Sequence, residues 1–236
     1  MLKIEQLQIS FGNFSLKVEG IGFPQGMNVI LGPNGGGKSS LMKGIIGYGH
    51  ENLDRREIQF GGHHLEKVES IISYLPQENP RFRIRVREYL TMTSGSVPEE
   101  RLDEAVRYFD LEPMLGQSIE NLSGGEFKRV QCAQVALEGK PVIMVDEMEQ
   151  GLDMNYQHGM MKWLCSEGKD KVVMASMHDA SLAMTYADTI TLIKGGRAEG
   201  PLPPEAVTAD MLSECYGLPL TVRRQEGVVL VYHNRL

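Results

Sequence analysis

Met27-Asn28-Val29-Ile30-Leu31 runs straight into Gly32-Pro33-Asn34-Gly35-Gly36-Gly37-Lys38-Ser39-Ser40. The first five residues read as a buried strand, and Leu41 and Ile45 beyond the turn have helical spacing. The connection fills every position of G-x-x-x-x-G-K-[ST] in the context that pattern requires, after a strand and before a helix. Its glycines let successive backbone N–H groups converge on one point without Cβ clashes. The helix that follows aims its unpaired N–H groups and the positive end of its dipole at the same point. Lys38 adds a mobile charge suited to β and γ phosphates, and Ser39 a hydroxyl suited to Mg²⁺. Gly32 to Ser40 is therefore the predicted polyphosphate cradle. The plain alternative is a Gly-rich turn before a helix.

The rest of the chain alternates in the same way. Val142–Val145, Val172–Met177 and Thr189–Ile193 are short apolar runs like Met27–Leu31, as expected for parallel strands covered on both faces. Helical patterns start near Lys38, run from Gly124 to Leu137, pass through Met161 and Leu164, and run from Asp179 to Ala187. This predicts an α/β fold, a P-loop core on a mostly parallel sheet. The first 25 residues and Arg56 to Tyr74 carry short alternations and Gly turns, which suit an antiparallel β subdomain. Residues 78–140 hold an inserted α-helical subdomain, charged and broken by Pro80, Pro98 and Pro113. Beyond Gly200, Pro201 and Pro203-Pro204 are expected to end the core. A C-terminal extension over 201–236 then adds an amphipathic helix (Pro204 to Tyr216) and a last strand (Gly227 to Tyr232). At 236 residues this is one domain, 1–236.

Pro141 to Glu147 is an apolar strand that ends in two carboxylates. Asp146 at the strand end can reach Mg²⁺ through a water, and Glu147 is expected to face the γ-phosphate, where it can orient and deprotonate water. Alone, such a strand end is as readily a charged turn. Asn121-Leu122-Ser123-Gly124-Gly125-Glu126 precedes a helix. A capping box accounts for Ser123 and Glu126. It does not account for Gly124 and Gly125, which cost helix propensity of roughly 1 kcal/mol each. They make sense where a phosphate approaches the backbone closely, and one nucleotide does not need two such helix starts in one subunit.

Leu122 to Glu126 resembles the signature of ABC-type ATPases, and the order of motifs over residues 1 to about 220 is similar to that family. The resemblance implies two copies paired head to tail, each ATP held between the phosphate loop of one and the signature of the other. It implies ATP and Mg²⁺ as ligands, with Glu147, His178 and Gln77 as catalytic residues. Ser39, Gln77 and Asp146 are implied at the metal. Phe11 is implied against adenine, with Phe14 as the alternative, and Asp153 at the dimer interface, where an N-cap role is equally open. The residues Met177 to Ala183, Tyr186 to Asp188 and Lys194 to Pro201 look like those of ABC importers. The stretch Pro204 to Gly217 is more particular and is similar to ATPases of the iron-siderophore, haem and cobalamin group. An ATP-hydrolysing importer subunit is implied, partnered by polytopic permease subunits and a substrate-binding protein. It would be cytoplasmic and peripheral on the inner face of the membrane. The alternatives are a soluble ABC ATPase, such as an iron–sulfur assembly type, and an exporter subunit.

The chain departs from the family pattern after Glu147. Met148-Glu149-Gln150 stands where Pro-Thr or Pro-Phe is usual, and Gln134 stands where Arg is common. A formal charge of -7 argues against non-specific nucleic-acid binding. No apolar run nears the roughly 20 residues a membrane span needs. Three scattered cysteines suggest neither a disulfide framework nor a zinc site. Arg81, Arg83, Arg85 and Arg87 alternate with apolar residues and read as a solvated face, with a membrane partner as another option.

Overall fold

Strands β3 (Gly26–Leu31), β7 (Val142–Asp146) and β8 (Val172–Met177) are buried at every position, so their side chains must be covered on two faces. The computed structural model describes residues 1–48, 50–95 and 97–233, and it covers them with two cores. Val29, Val145 and Ala175 face one core and Ile30, Met144 and Met174 the other, the period-2 alternation of a sheet between layers. Most of the methionines lie in these cores, where an unbranched side chain fills irregular gaps.

The remaining elements, in chain order, are β1 (Leu2–Phe11), β2 (Phe14–Phe23), α1 (Lys38–Ile46), β4 (Leu53–Phe60), β5 (His63–His64), β6 (Ile72–Leu75), α2 (Val86–Thr91), α3 (Glu99–Tyr108), α4 (Gly124–Glu138), α5 (Met154–Gly168), α6 (Ala180–Tyr186), β9 (Thr189–Lys194), β10 (Arg197–Leu202), α7 (Ala209–Tyr216), β11 (Thr221–Gln225) and β12 (Val228–Tyr232). Ten strands form one sheet in the order β5-β4-β1-β2-β10-β9-β3-β8-β7-β6. From β9 to β6 the pairing is parallel. From β5 to β2 it is antiparallel. The cradle lies where β3 ends between β8 and β9, and ligands of open α/β sheets gather at such carboxyl ends. Helices α2, α3 and α4 stand between β6 and β7 in sequence, and β11 and β12 form a separate hairpin against α6.

Three expectations need correction. Ile72 to Leu75 is a parallel strand of the core sheet, paired with Val142 to Val145, and does not join the antiparallel group expected for Arg56 to Tyr74. Four residues with one Ser among them are too short to show which part of the sheet they join. Pro201 does not end the core, because β10 continues through it to Leu202, with a register shift between Glu199 and Leu202. That irregularity relieves Pro of the ladder bond it cannot make. The expected helix from Pro204 divides into a single 3₁₀ turn (Pro204–Ala206) and α7, because Thr208 caps α7 by accepting the Met211 N–H.

The turn from β9 to β10 carries a stability prediction. Gly196 has φ +74°, and a Cβ there would lie 1.8 Å from the Ser15 carbonyl oxygen of β2. Backbone on both sides leaves little room to move. Gly196→Ala is expected to cost about 3 kcal/mol or more, which lowers Tm by roughly 6–12 °C for a chain of this size. Thermal unfolding measures it, and an unchanged Tm would contradict the close approach.

Candidate nucleotide site

Helix α1 starts at the cradle because Gly37, its N-cap, has φ 115°, a turn that L side chains resist. No side chain caps α1 and its first turn holds no acidic residue, so its leading N–H groups are left for an incoming anion. The cradle is one wall of a cavity of about 760 Å³. Phe11, Phe14, Asn34, Lys38, Ser39, Gln77, Glu147, Gln150 and His178 are among its lining residues. Phe11 and Phe14 face each other across the β1–β2 turn. Phe11 is the exposed member of the pair, and Phe14 packs partly into the core beside the loop.

Glu147 is the centre of the polar network. Its Oε1 lies 2.6 Å from His178 Nε2 and 3.5 Å from Lys38 Nζ. Its Oε2 accepts hydrogen bonds from Gln77 Nε2 at 2.7 Å and Gln150 Nε2 at 2.9 Å. Four donors from four segments thus converge on one buried carboxylate. The buried Lys38 ammonium also donates to the Gly32 carbonyl at 2.9 Å. Glu147 occupies the left-handed region, with φ 51°. For a non-glycine residue that costs about 1–3 kcal/mol and persists only where neighbours over-determine it. The Glu147 N–H is held by the carbonyl of Ser176 and by its hydroxyl, both at 3.1 Å. The same hydroxyl donates to Asp146 Oδ1. Asp146 therefore sits behind the cavity wall, oriented from β8. Burial first, and then the Asp146 charge, push the Tyr74 phenol well above its usual range.

The signature residues lie elsewhere on the chain. Ser123 and Glu126 form a complete capping box, with Ser123 N–H donating to Glu126 Oε2 at 2.8 Å and Glu126 N–H to Ser123 Oγ at 3.3 Å. They do not line the cavity that holds Lys38. A Cβ on Gly124 would meet nothing within 4 Å, and one on Gly125 only Leu152 Cδ2 at 3.7 Å. The protomer itself has no steric need for either glycine. Asp153 caps α5, its Oδ1 accepting from Asn155 N–H at 3.0 Å and Tyr156 N–H at 3.1 Å. Of the arginine series, Arg81 reaches the same region, donating to the Leu122 carbonyl and lying 4.9 Å from the Phe127 ring.

Near Glu147, the sequence marks Glu149 and Gln150 only as a departure from the family pattern and does not single out Ser176 or Lys128. Ser176 had a signal, a hydroxyl inside the apolar run Val172–Met177, since buried polar groups need partners. The Glu149 carboxyl is buried, with Oε1 accepting the His178 N–H at 2.7 Å. Burial is the largest cause of its raised pKa, and the Glu147 charge adds to it. An acid whose folded pKa is raised stabilises the fold below its unfolded value near 4.3. That contribution is lost as pH rises through the folded value. Glu149→Gln is therefore expected to raise Tm at pH 8, with the gain vanishing toward pH 4. A Tm difference that does not change with pH would contradict it.

A glycine-lined turn, a buried lysine and a strand-end carboxylate pair are the parts of a P-loop ATPase, and the capped Ser-Gly-Gly-Glu helix stands apart from that cavity. The family model described as ABC transporter matches residues 21–150. The chain is 32% identical to the hemin import ATP-binding protein HmuV of Rhodococcus jostii (strain RHA1), over 88% of this chain and 76% of that protein. It is also 32% identical to the vitamin B12 import ATP-binding protein BtuD of Escherichia coli O139:H28 (strain E24377A / ETEC), over 80% of this chain and 81% of that protein. In fold it resembles a chain of a transporter assigned to the metal-chelate ABC type, in an inward-facing conformation (TM-score 0.79, 18% identity, 98% of this chain and 95% of that one). The chain belongs to the ABC transporter ATP-binding family and is an ATPase of that family.

Proposed function

We propose that this chain is the energy-coupling subunit of an importer for haem, cobalamin or a related metal chelate. The observation that carries the substrate class is its likeness, over most of its length, to hemin and vitamin B12 import proteins. Two copies pair head to tail, and permease subunits hold them at the inner face of the membrane. No helix among the described residues is long and apolar enough to cross a membrane, which fits attachment through such partners.

The cavity residues support a hydrolytic step. ATP lies with its phosphates on Gly32 to Ser40 and its base toward Phe11. Glu147 accepts a proton from water as the water oxygen bonds to the γ-phosphorus, and the β–γ bridging oxygen leaves with ADP. His178 and the Gln77 amide hold the Glu147 carboxylate, and Lys38 offsets charge on the phosphate oxygens. Ser39 and Gln77 would hold Mg²⁺ from the cavity, and Asp146, behind its wall, would reach the ion through a water. A hydroxyl, an amide and one carboxylate are hard oxygen donors, which suits a cation that takes its other ligands from phosphates and water. Among the described residues no group of three or more His, Cys, Asp or Glu forms a protein-only cage. When bound, Mg²⁺ neutralises developing phosphate charge. The partner's copy of the signature segment closes the site against the γ-phosphate, with Asp153 near the same interface.

Purification of the tagged chain from detergent-solubilised membranes tests the assignment. Co-purification of a polytopic membrane protein, with ATP turnover stimulated by a haem- or cobalamin-loaded binding protein, is expected. Recovery only with soluble iron–sulfur assembly proteins would overturn it.

A further inference from the structure

Lys128 lies on α4, just past the Ser123 to Glu126 turn, and the ATPase pattern assigns it nothing. Its half-buried ammonium donates to the Met148 carbonyl at 3.0 Å and to the Gln150 carbonyl. These two carbonyls flank Glu149 in the segment that departs from the family pattern. The same segment presents Glu147 in its left-handed conformation and brings Gln150 Nε2 onto Glu147 Oε2. From the other side it is held by Glu149 Oε1, which accepts the His178 N–H. One charged side chain thus joins the helix that carries the signature to the turn that aims the hydrolytic carboxylate.

We propose that Lys128 is a positioning residue that couples the two nucleotide sites of the dimer. The inference rests on the head-to-tail pairing proposed above. In such a pair, α4 begins at the partner's nucleotide, while Lys128 fixes the turn at this protomer's own nucleotide. Seating of the partner's phosphate shifts or firms α4, and the ammonium carries that change to the Met148 and Gln150 carbonyls. An ammonium suits this link because it is a compact charge with three donors and bonds two carbonyls at once. Charge-assisted bonds of this kind are also stronger than neutral ones. Without it the left-handed Glu147 loses one of the contacts that over-determine it, and its carboxylate drifts from the line of attack.

The test compares Lys128→Met and Lys128→Arg with wild type for ATP affinity, kcat, the Hill coefficient for ATP, melting temperature and Mg-ATP-dependent pairing. Lys128→Met is expected to lose about 10²-fold in kcat, the scale of a misplaced catalytic group. Its ATP affinity and melting temperature should stay close to wild type, and its Hill coefficient should fall toward 1. Lys128→Arg keeps donors for both carbonyls and should recover most of the rate and cooperativity. The inference is overturned if Lys128→Met hydrolyses ATP as wild type does with an unchanged Hill coefficient. It is equally overturned if rate, affinity and melting temperature fall together and Arg rescues none of them. A wild type that binds ATP but never pairs would remove the dimer reading itself, a separate result.

Discussion

Glu147→Gln is expected to slow ATP hydrolysis by about 10²- to 10⁴-fold, the usual contribution of a positioned general base, while ATP binding is retained. The amide keeps the shape of the side chain and its oxygen can still accept from Gln77 and Gln150, so the cavity survives. It cannot take the proton from water. The cradle, Lys38 and the α1 terminus supply the binding, and none of them is changed. ATP affinity by calorimetry and phosphate release in the same sample separate the two effects. Turnover near the wild-type rate would remove Glu147 from the role of base. Loss of binding in parallel with rate would make its bond to Lys38 structural.

Gly124→Asp is expected to leave the folded protomer intact and to lower turnover by at least about 10²-fold. A Cβ at Gly124 meets nothing, and Gly124 is not among the residues with positive φ. An acidic side chain in the first turn of α4 also complements the helix dipole. The protomer's melting temperature should therefore hold or rise. The predicted loss comes from outside the chain, because a carboxylate then stands where the partner's γ-phosphate approaches. A variant that melts as wild type does, pairs normally and hydrolyses ATP at the wild-type rate would show that this helix start does not receive phosphate.

How much of this was legible in the sequence depended on how local the cause was. Val172–Met177 appears as a strand with the same bounds in the sequence and in the fold, because an apolar run of that length, broken only by Ser176, has few other uses between turns. The start of α4 was equally clear, since Ser123 and Glu126 state the cap chemically. The place of Ile72 to Leu75 was not legible, because its position and direction in the sheet are chosen by Val142 to Val145, about 70 residues on. The hairpin of β9 and β10 had a Gly195-Gly196 signal, but Pro201 obscured its second strand. At the site, the phosphate-loop pattern names Lys38 and the strand end names Glu147, while Gln77 and His178 follow only from the family resemblance; the fold gathers the other three around the Glu147 carboxylate. Lys128 was beyond sequence pattern, and Glu149 and Gln150 stood out only as a departure from the family pattern. Their contacts follow from the left-handed turn at Glu147, a through-space property with no residue-type signature.

Complementation tests the shared site most directly. Lys38→Ala removes the charge of one half-site and Gly124→Asp blocks the other, so homodimers of either variant hold two defective sites. A one-to-one mixture of the two purified proteins forms heterodimers in which one site pairs an intact phosphate loop with an intact signature. Random pairing across a two-fold interface then places one intact site in about half of the dimers, so the predicted recovery is up to about a quarter of wild-type turnover, the limit for uncoupled sites. A mixture no more active than the sum of its two components would mean that each chain hydrolyses ATP within itself, and the account of a nucleotide held between two copies would fail.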